Sequence, residues 1–191
     1  MQVITLNKES FRRACNALAG MCGADGYRPD CLVGICKGGV YVADEVAHSF
    51  PDATRFDVAL SRPSTRHKGA AFRRMVGGMS RPVQDFMRKV ESRIHSLMHA
   101  ERRKVRIAPL STEFVRFLAS RPEARVLIVD DAVDSGITMA RLLKSLTSQF
   151  PKLRITTAVI TVTTRRPAMQ PDYALYNNQT LIRFPWSSDA K

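Results

Sequence analysis

At 191 residues, 45% of them hydrophobic, the chain can bury one substantial core and fits a single domain better than two. No uninterrupted apolar run approaches the roughly 18 residues of a spanning helix, Met1 to Ser10 lacks the basic start and apolar middle of a signal peptide, and Cys15, Cys22, Cys31 and Cys36 form no Cys-x-x-Cys pair. A cytoplasmic protein with free thiols is therefore expected, with neither a disulfide framework nor a zinc site. The net charge is +13, and between Arg62 and Arg106 13 Lys or Arg stand against three acids, so ten of the surplus charges sit in one quarter of the chain.

Val3 to Leu6 is a short β-prone run, and Phe11, Ala14, Cys15, Leu18 and Ala19 then fall at helical spacing before Gly20 and Gly23. Cys31 to Cys36 reads as a buried strand. It runs into a tight turn, Lys37-Gly38-Gly39, and then into the helical pattern Val42, Val46, Ala47. Phe56 to Leu60 alternates as a strand does, and Ser61-Arg62-Pro63-Ser64-Thr65 breaks it into a polar loop. From Pro82 to about Arg102 one continuous apolar stripe (Val83, Phe86, Met87, Val90, Ile94, Leu97, Met98) marks an amphipathic helix, with Pro82 suited to its first turn. Glu113 to Ala119 carries another helical pattern, Val126 to Val129 is a buried strand, Gly136 to Leu146 opens a helix, and Ile155 to Val162 is the last core strand. Compact apolar strands alternating with helices predict an α/β fold, a mostly parallel central sheet with helices on both faces.

In such a sheet, ligands bind beyond the carboxyl ends of the strands. Asp130 and Asp131 follow Ile128-Val129 there, and Asp134-Ser135-Gly136-Ile137-Thr138 then turns into a helix. That turn offers unpaired backbone N–H groups, two hydroxyls and a positive helix end, which suit a phosphate. The two carboxylates suit sugar hydroxyls, or Mg²⁺ beside a diphosphate. A phosphorylated sugar satisfies both halves. The same strand-end acids also open receiver domains, but the strand Ile155 to Val162 ends in Thr163-Thr164-Arg165 with no acceptor Asp. Lys37-Gly38-Gly39, between a buried strand and a helix, gives close backbone approach plus one cation.

The segment Val126 to Met139 resembles the phosphoribosyl-diphosphate (PRPP) signature of type I phosphoribosyltransferases, and the Lys37 turn resembles the pyrophosphate loop of the xanthine-guanine and hypoxanthine branch. The resemblance implies transfer of a phosphoribosyl group from Mg²⁺-PRPP to a purine-like nucleobase or related nitrogen acceptor. It implies that Asp130 and Asp131 engage the ribose hydroxyls and Mg²⁺, and that Ser135, Gly136, Ile137 and Thr138 hold the 5-phosphate. Asp134 would then accept a proton beside the incoming base, and Lys37, Gly38 and Gly39 would hold the diphosphate. Ser61 to Lys68, with Arg62, Arg66 and Lys68, corresponds to the mobile lid. Pro171-Asp172-Tyr173 and Leu181-Ile182-Arg183-Phe184-Pro185-Trp186 resemble the hood, whose base-side residues would be Arg165, Tyr173, Leu181 and Ile182. Tyr173 and Trp186 fit hood packing or base contact. Ala132 is smaller than the usual residue, Leu181 stands where an aromatic would stack on a purine, and no lysine occurs from Thr161 to Thr164.

The expected organisation is one phosphoribosyltransferase domain over 1–191, with a basic helical insertion over 62–110 and a hood over 164–191, assembling as a homodimer or higher homo-oligomer. The insertion's stripe would pack on the core or a second subunit. Its polar side, with Arg88, Arg93 and Arg102, would face a nucleic acid, an acidic partner or solvent, though no nucleic-acid motif is present. The alternative function is a PRPP-sensing regulator on the same fold, binding nucleic acid or an acidic partner through this insertion. Glu91, His95 and His99 share a helical edge, a spacing that suits a metal or an ordinary surface.

Overall fold

In the computed structural model, which describes residues 3–24, 26–61, 106–107, 110–177 and 180–187, the apolar runs become strands and helices in alternation. In chain order they are β1 (Val3–Thr5), α1 (Lys8–Gly23), β2 (Cys31–Ile35), α2 (Cys36–Ala47), β3 (Thr54–Val58), β4 (Leu60–Ser61), β5 (Arg106–Ile107), α3 (Thr112–Ser120), β6 (Arg125–Val133), α4 (Ile137–Gln149), β7 (Arg154–Val162), β8 (Tyr173–Tyr176) and β9 (Leu181–Arg183). The chain divides into two compact units, residues 1–60 with 107–191, and residues 61–106. The expected helix over 82–102, with Glu91, His95 and His99, lies in the second unit and outside the described residues. No helix among the described residues is long and apolar enough to cross a membrane.

The first unit is built on a five-stranded sheet in the order β3-β2-β6-β7-β8, every neighbouring pair parallel. Strand alternation sends side chains to two separate cores. Leu32, Leu127, Val129, Ala158 and Ile160 pack with Phe11, Leu18, Val42 and Val46 of α1 and α2. On the other face Val33, Val126, Ile128 and Val159 pack with Phe114, Leu118, Leu142 and Leu146 of α3 and α4. The expected mostly parallel sheet with helices on both faces is thus what forms, and burial on both sides is why its strands read as unbroken apolar runs.

Two elements differ in extent from the sequence expectation. Strand β6 continues past Val129 to Val133, because β7 supplies ladder partners as far as Val133 opposite Val162. Asp130 and Asp131 therefore lie within the strand and not in a loop beyond it. Helix α2 begins at Cys36, immediately after β2, so Lys37-Gly38-Gly39 is its first turn and not a separate one.

Connectivity then fixes where a ligand fits. β2 and β6 are neighbours, yet β2 leads through α2 outward to β3, whereas β6 leads through α4 the other way to β7. Helices α2 and α4 also cover opposite faces. The carboxyl ends of β2 and β6 are therefore the topological switch point of the sheet, where the chain opens a crevice.

Candidate active site

One wall of the crevice is the contact between α2 and β6. The register Gly34 opposite Val129 sets the start of α2 beside Asp130. The approach is close: a Cβ built on Gly34 would stand 2.9 Å from the Gly39 carbonyl oxygen, and one on Gly39 would stand 2.7 Å from the Val129 oxygen and 3.0 Å from Asp130 Oδ1. A Cβ on Gly38 would collide with the carboxylate of Asp131. Asp130 is buried at 9% exposure, and its Oδ1 accepts from the backbone N–H of Asp131 at 2.9 Å. Helix α2 has no side-chain cap, so its first N–H groups, with the exposed Lys37 among them, remain for an incoming anion.

The other wall is the bend from Asp134 into α4. Gly136 caps the helix in the left-handed region, φ 71° and ψ −4°, and has no side chain to satisfy the helix N–H groups. Ser135 is exposed, and Ile137 and Thr138 are half-buried in the first turn. The loop is held from behind by the segment after β7. The Ala168 N–H donates to the Ser135 carbonyl at 2.8 Å, and a Cβ on Gly136 would stand 2.8 Å from both the N and the O of Met169.

Asp134 is exposed and accepts at Oδ1 from the Thr163 hydroxyl at 3.0 Å, while the Thr163 N–H donates to the Val133 carbonyl at 3.0 Å. Thr163 was not among the expected site residues. Its place beside residue 134 follows from the β6–β7 register, in which Val133 stands opposite Val162, and no local sequence signal marks it.

The hood residues separate into two groups. Arg165 is exposed just after β7, and Leu181 is half-buried in β9. Ile182, 7% exposed, lies in the α1–α2 core, where Tyr173 packs as well. β9 pairs in parallel with β1, Ile182 opposite Ile4. Trp186 is committed to packing: it stacks on Phe184 (4.9 Å, 8°) and on Tyr41 (4.6 Å, 29°) and meets the Phe11 ring edgewise at 4.9 Å. Asp172 anchors β8, its Oδ2 accepting from the Thr157 N–H and hydroxyl, both at 2.7 Å. The structure thus brings together Lys37, Gly38, Gly39, Asp130 and Asp131, and beside them Asp134 to Thr138, but directs Tyr173 and Ile182 into the core. Ser61 ends β4, and Arg62, Arg66 and Lys68 lie outside the described residues.

The phosphoribosyl transferase domain, as a family model, matches residues 4–190. The chain belongs to that family. It is a phosphoribosyltransferase. No curated protein matches it in sequence. Among solved structures, this phosphoribosyltransferase is similar to a purine phosphoribosyltransferase from Pyrococcus horikoshii Ot3, with a TM-score of 0.62 and 21% identity over 98% of this chain and 95% of that one. A xanthine-guanine-hypoxanthine phosphoribosyltransferase from Helicobacter pylori gives a TM-score of 0.64 at 16% identity, covering 98% and 96%. A protein from Neisseria gonorrhoeae with bound ppGpp gives 0.62 at 19% identity, covering 99% and 92%. At these identities the likeness is one of fold.

The phosphoribosyltransferase crevice combines two kinds of chemistry at short range. Two helix N-termini, on adjacent strands and opposite faces, favour anions. Between them stand the carboxylates of Asp130 and Asp131, which repel phosphate but accept from hydroxyls or hold a hard cation. A ligand with anionic ends and a hydroxylated middle matches that order of charges.

Proposed function

We propose that this phosphoribosyltransferase moves the 5-phosphoribosyl group of Mg²⁺-PRPP to a ring nitrogen of a purine-like base and releases diphosphate. The observation that carries the reading is the packing of Gly38 and Gly39 against Asp131 and Asp130 at the switch point. It sets a cationic, N–H-lined turn directly beside an acid pair, with the Asp134–Thr138 bend on the far side. In this reading Lys37, Gly38 and Gly39 bind the diphosphate, Asp130 and Asp131 take the ribose 2- and 3-hydroxyls, and Ser135, Gly136, Ile137 and Thr138 hold the 5-phosphate. Asp134 receives the proton that the acceptor nitrogen loses. Arg165 and Leu181 border the base, and the segment from Ser61 through Arg62 and Arg66 to Lys68 closes over the reacting centre to exclude water.

The donor set fits magnesium. Mg²⁺ takes hard oxygen ligands, commonly one or two carboxylates with substrate phosphates and water. Asp130 and Asp131 supply such oxygens at the diphosphate side, and among the described residues no cluster of three or more His, Cys, Asp or Glu forms a separate metal cage. Bound there, Mg²⁺ would neutralise charge on the departing diphosphate. The chain's own contribution is positioning, which in favourable cases supplies about 7–11 kcal/mol, and fixed charge. The anomeric carbon–oxygen bond breaks early, the ring gains positive charge stabilised by the nearby carboxylates, and Lys37 meets the negative charge leaving with the diphosphate.

A purine-like acceptor is supported by the purine and xanthine-guanine-hypoxanthine phosphoribosyltransferases among the structural neighbours. Leu181 and the missing lysine from Thr161 to Thr164 argue for an altered purine edge or a related heterocycle. The test is diphosphate release from PRPP and Mg²⁺ across purines, pyrimidines and other nitrogen heterocycles, comparing wild type with Asp130→Asn/Asp131→Asn. Release with one acceptor class and its loss in a folded double variant support the reading. Full activity in that variant sinks it.

The alternative reading, a PRPP-sensing regulator that binds nucleic acid or an acidic partner through the basic insertion, draws on the ten surplus positive charges between Arg62 and Arg106. Its signature is nucleic-acid affinity that falls steeply with salt.

A further inference from the structure

We infer that Thr163 is a positioning residue that sets the Asp134 carboxylate for proton acceptance. The inference deepens the reading of Asp134 as proton acceptor and rests on it. The last rung of the β6–β7 ladder pairs Val133 with Val162. One residue past that last rung, Thr163 makes two bonds back to the end of β6. Its N–H donates to the Val133 carbonyl at 3.0 Å, fixing the backbone just before Asp134, and its hydroxyl donates to Asp134 Oδ1 at 3.0 Å. A hydroxyl has a single proton to give. The competing acceptor, the Val133 carbonyl oxygen, is neutral and 3.5 Å away, so the shorter, charge-assisted bond to the carboxylate takes it.

The need for such a bond follows from where Asp134 stands. It is exposed, on a bend between the end of β6 and the left-handed Gly136, and no neighbouring side chain encloses it among the described residues. An aspartate so placed samples several rotamers, and a proton acceptor that does so spends little time at the reacting nitrogen. Pinning Oδ1 removes that freedom and leaves Oδ2, which has no partner among the described residues, as the oxygen that meets the acceptor. A β-branched residue suits the task because its own χ1 is restricted.

Two threonines within β7 give the contrast. Thr157 bonds Asp172, and Thr161, 1% exposed, donates to the Thr180 carbonyl at 2.7 Å. Both hydroxyls are buried and tie the chain to itself. Thr163 makes its bond at the crevice, with a residue that already has a backbone anchor through Val133.

The experiment is steady-state kinetics with Mg²⁺-PRPP and the acceptor found in the diphosphate-release panel, on wild type, Thr163→Val, Thr163→Ser, Asp134→Asn and the double variant Asp134→Asn/Thr163→Val. Thr163→Val keeps the shape and loses the donor. It is expected to lower kcat by about 10- to 100-fold, part of the 10²–10⁴ that a positioned acid or base contributes, with the KM for PRPP and the melting temperature held near wild type. Thr163→Ser is expected to recover most of kcat, and the double variant to be no slower than Asp134→Asn alone, because the hydroxyl acts only through that carboxylate.

Wild-type kcat in Thr163→Val beside a slow Asp134→Asn overturns the inference and leaves the acceptor role of Asp134 standing. Parallel loss of kcat, PRPP affinity and melting temperature in Thr163→Val, without rescue by serine, overturns it in favour of a purely structural role. A fast Asp134→Asn, or a wild type that releases no diphosphate with any acceptor, removes the underlying reading and the inference together.

Discussion

The carboxylate of Asp131 occupies the space that the Cβ of an alanine at position 38 would need. Gly38 and Asp131 are therefore complementary, although 92 positions separate them in the sequence. The obstacle is the end of a side chain, which can rotate, so Gly38→Ala is expected to fold and to displace Asp131 from the site. Turnover should fall by about 100-fold or more, in the range seen when one electrostatic donor is lost, with little change in melting temperature. Gly39→Ala meets backbone instead, the Val129 carbonyl oxygen at 2.7 Å, and neither strand nor helix can yield cheaply. That variant should lose about 1–3 kcal/mol, as overpacked sites do, as well as activity. Thermal melts beside diphosphate-release assays distinguish the two, and equal stability of both variants counts against the packing described.

Gly136 gives a second prediction. Its φ of 71° lies in the left-handed region, and a Cβ there would press on the backbone of Met169 at 2.8 Å. Left-handed strain alone costs a non-glycine residue about 1–2 kcal/mol, and the Met169 segment must also shift. Gly136→Ala is therefore expected to lower stability by at least that amount and to weaken PRPP binding measured by calorimetry, because the N–H groups of the first turn of α4 are displaced with the loop. An alanine variant with native PRPP affinity would remove this bend from the phosphate site.

How far the site was legible in the sequence depended on whether its cause was local. Val126 to Val129 announced a strand because it is buried on both faces, and the acids after it stood out against that run. The continuation of β6 to Val133 was not visible, because its ladder partner Val162 lies 29 residues on. Gly38 and Gly39 carried turn propensity locally, and close packing of α2 on β2 and β6 overrode it, placing them in a helix. Ile182 faces the core because β9 pairs with β1, a strand at the far end of the chain. Thr163 had no local signal, since its role comes entirely from register.

The buried thiols of Cys15, Cys22 and Cys31 lead to a third prediction. Each is pushed from 9.0 up to about 12, chiefly by burial, which disfavours the thiolate. The thiolate is the reactive form, so in a Cys36→Ser background the native protein at pH 8 should react with a thiol reagent no faster than it unfolds. Rapid labelling of any of the three in the folded protein contradicts their placement. The same shift sets a pH window. A folded-state value raised above the unfolded one contributes stability that is fully present below 9.0 and is lost as pH rises toward about 12. Denaturant midpoints should therefore decline through that alkaline range.

At the opposite end of the sheet, Asp30 and Arg125 join the amino ends of β2 and β6. Asp30 Oδ2 accepts from the Arg125 backbone N–H at 2.7 Å and from its Nε at 3.2 Å, Oδ1 accepts from its Nη2 at 3.1 Å, and the Asp30 N–H donates back to the Arg125 carbonyl at 2.8 Å. The side-chain hydrogen bond from Arg125 is the main reason the Asp30 carboxyl titrates below its ordinary 3.8. A depressed carboxylate contributes stability above its unfolded value and loses it as pH falls through the folded one. Asp30→Asn is therefore expected to melt a few degrees below wild type at neutral pH, and the two should converge in acid below 3.8. The effect is modest because both side chains are partly open to water. Catalytic constants should not move, since Asp30 precedes β2 while the crevice lies beyond the strand's carboxyl end at Ile35. A fall in kcat without a fall in melting temperature would show that this clamp reaches the crevice, contrary to the separation of the two ends of the sheet.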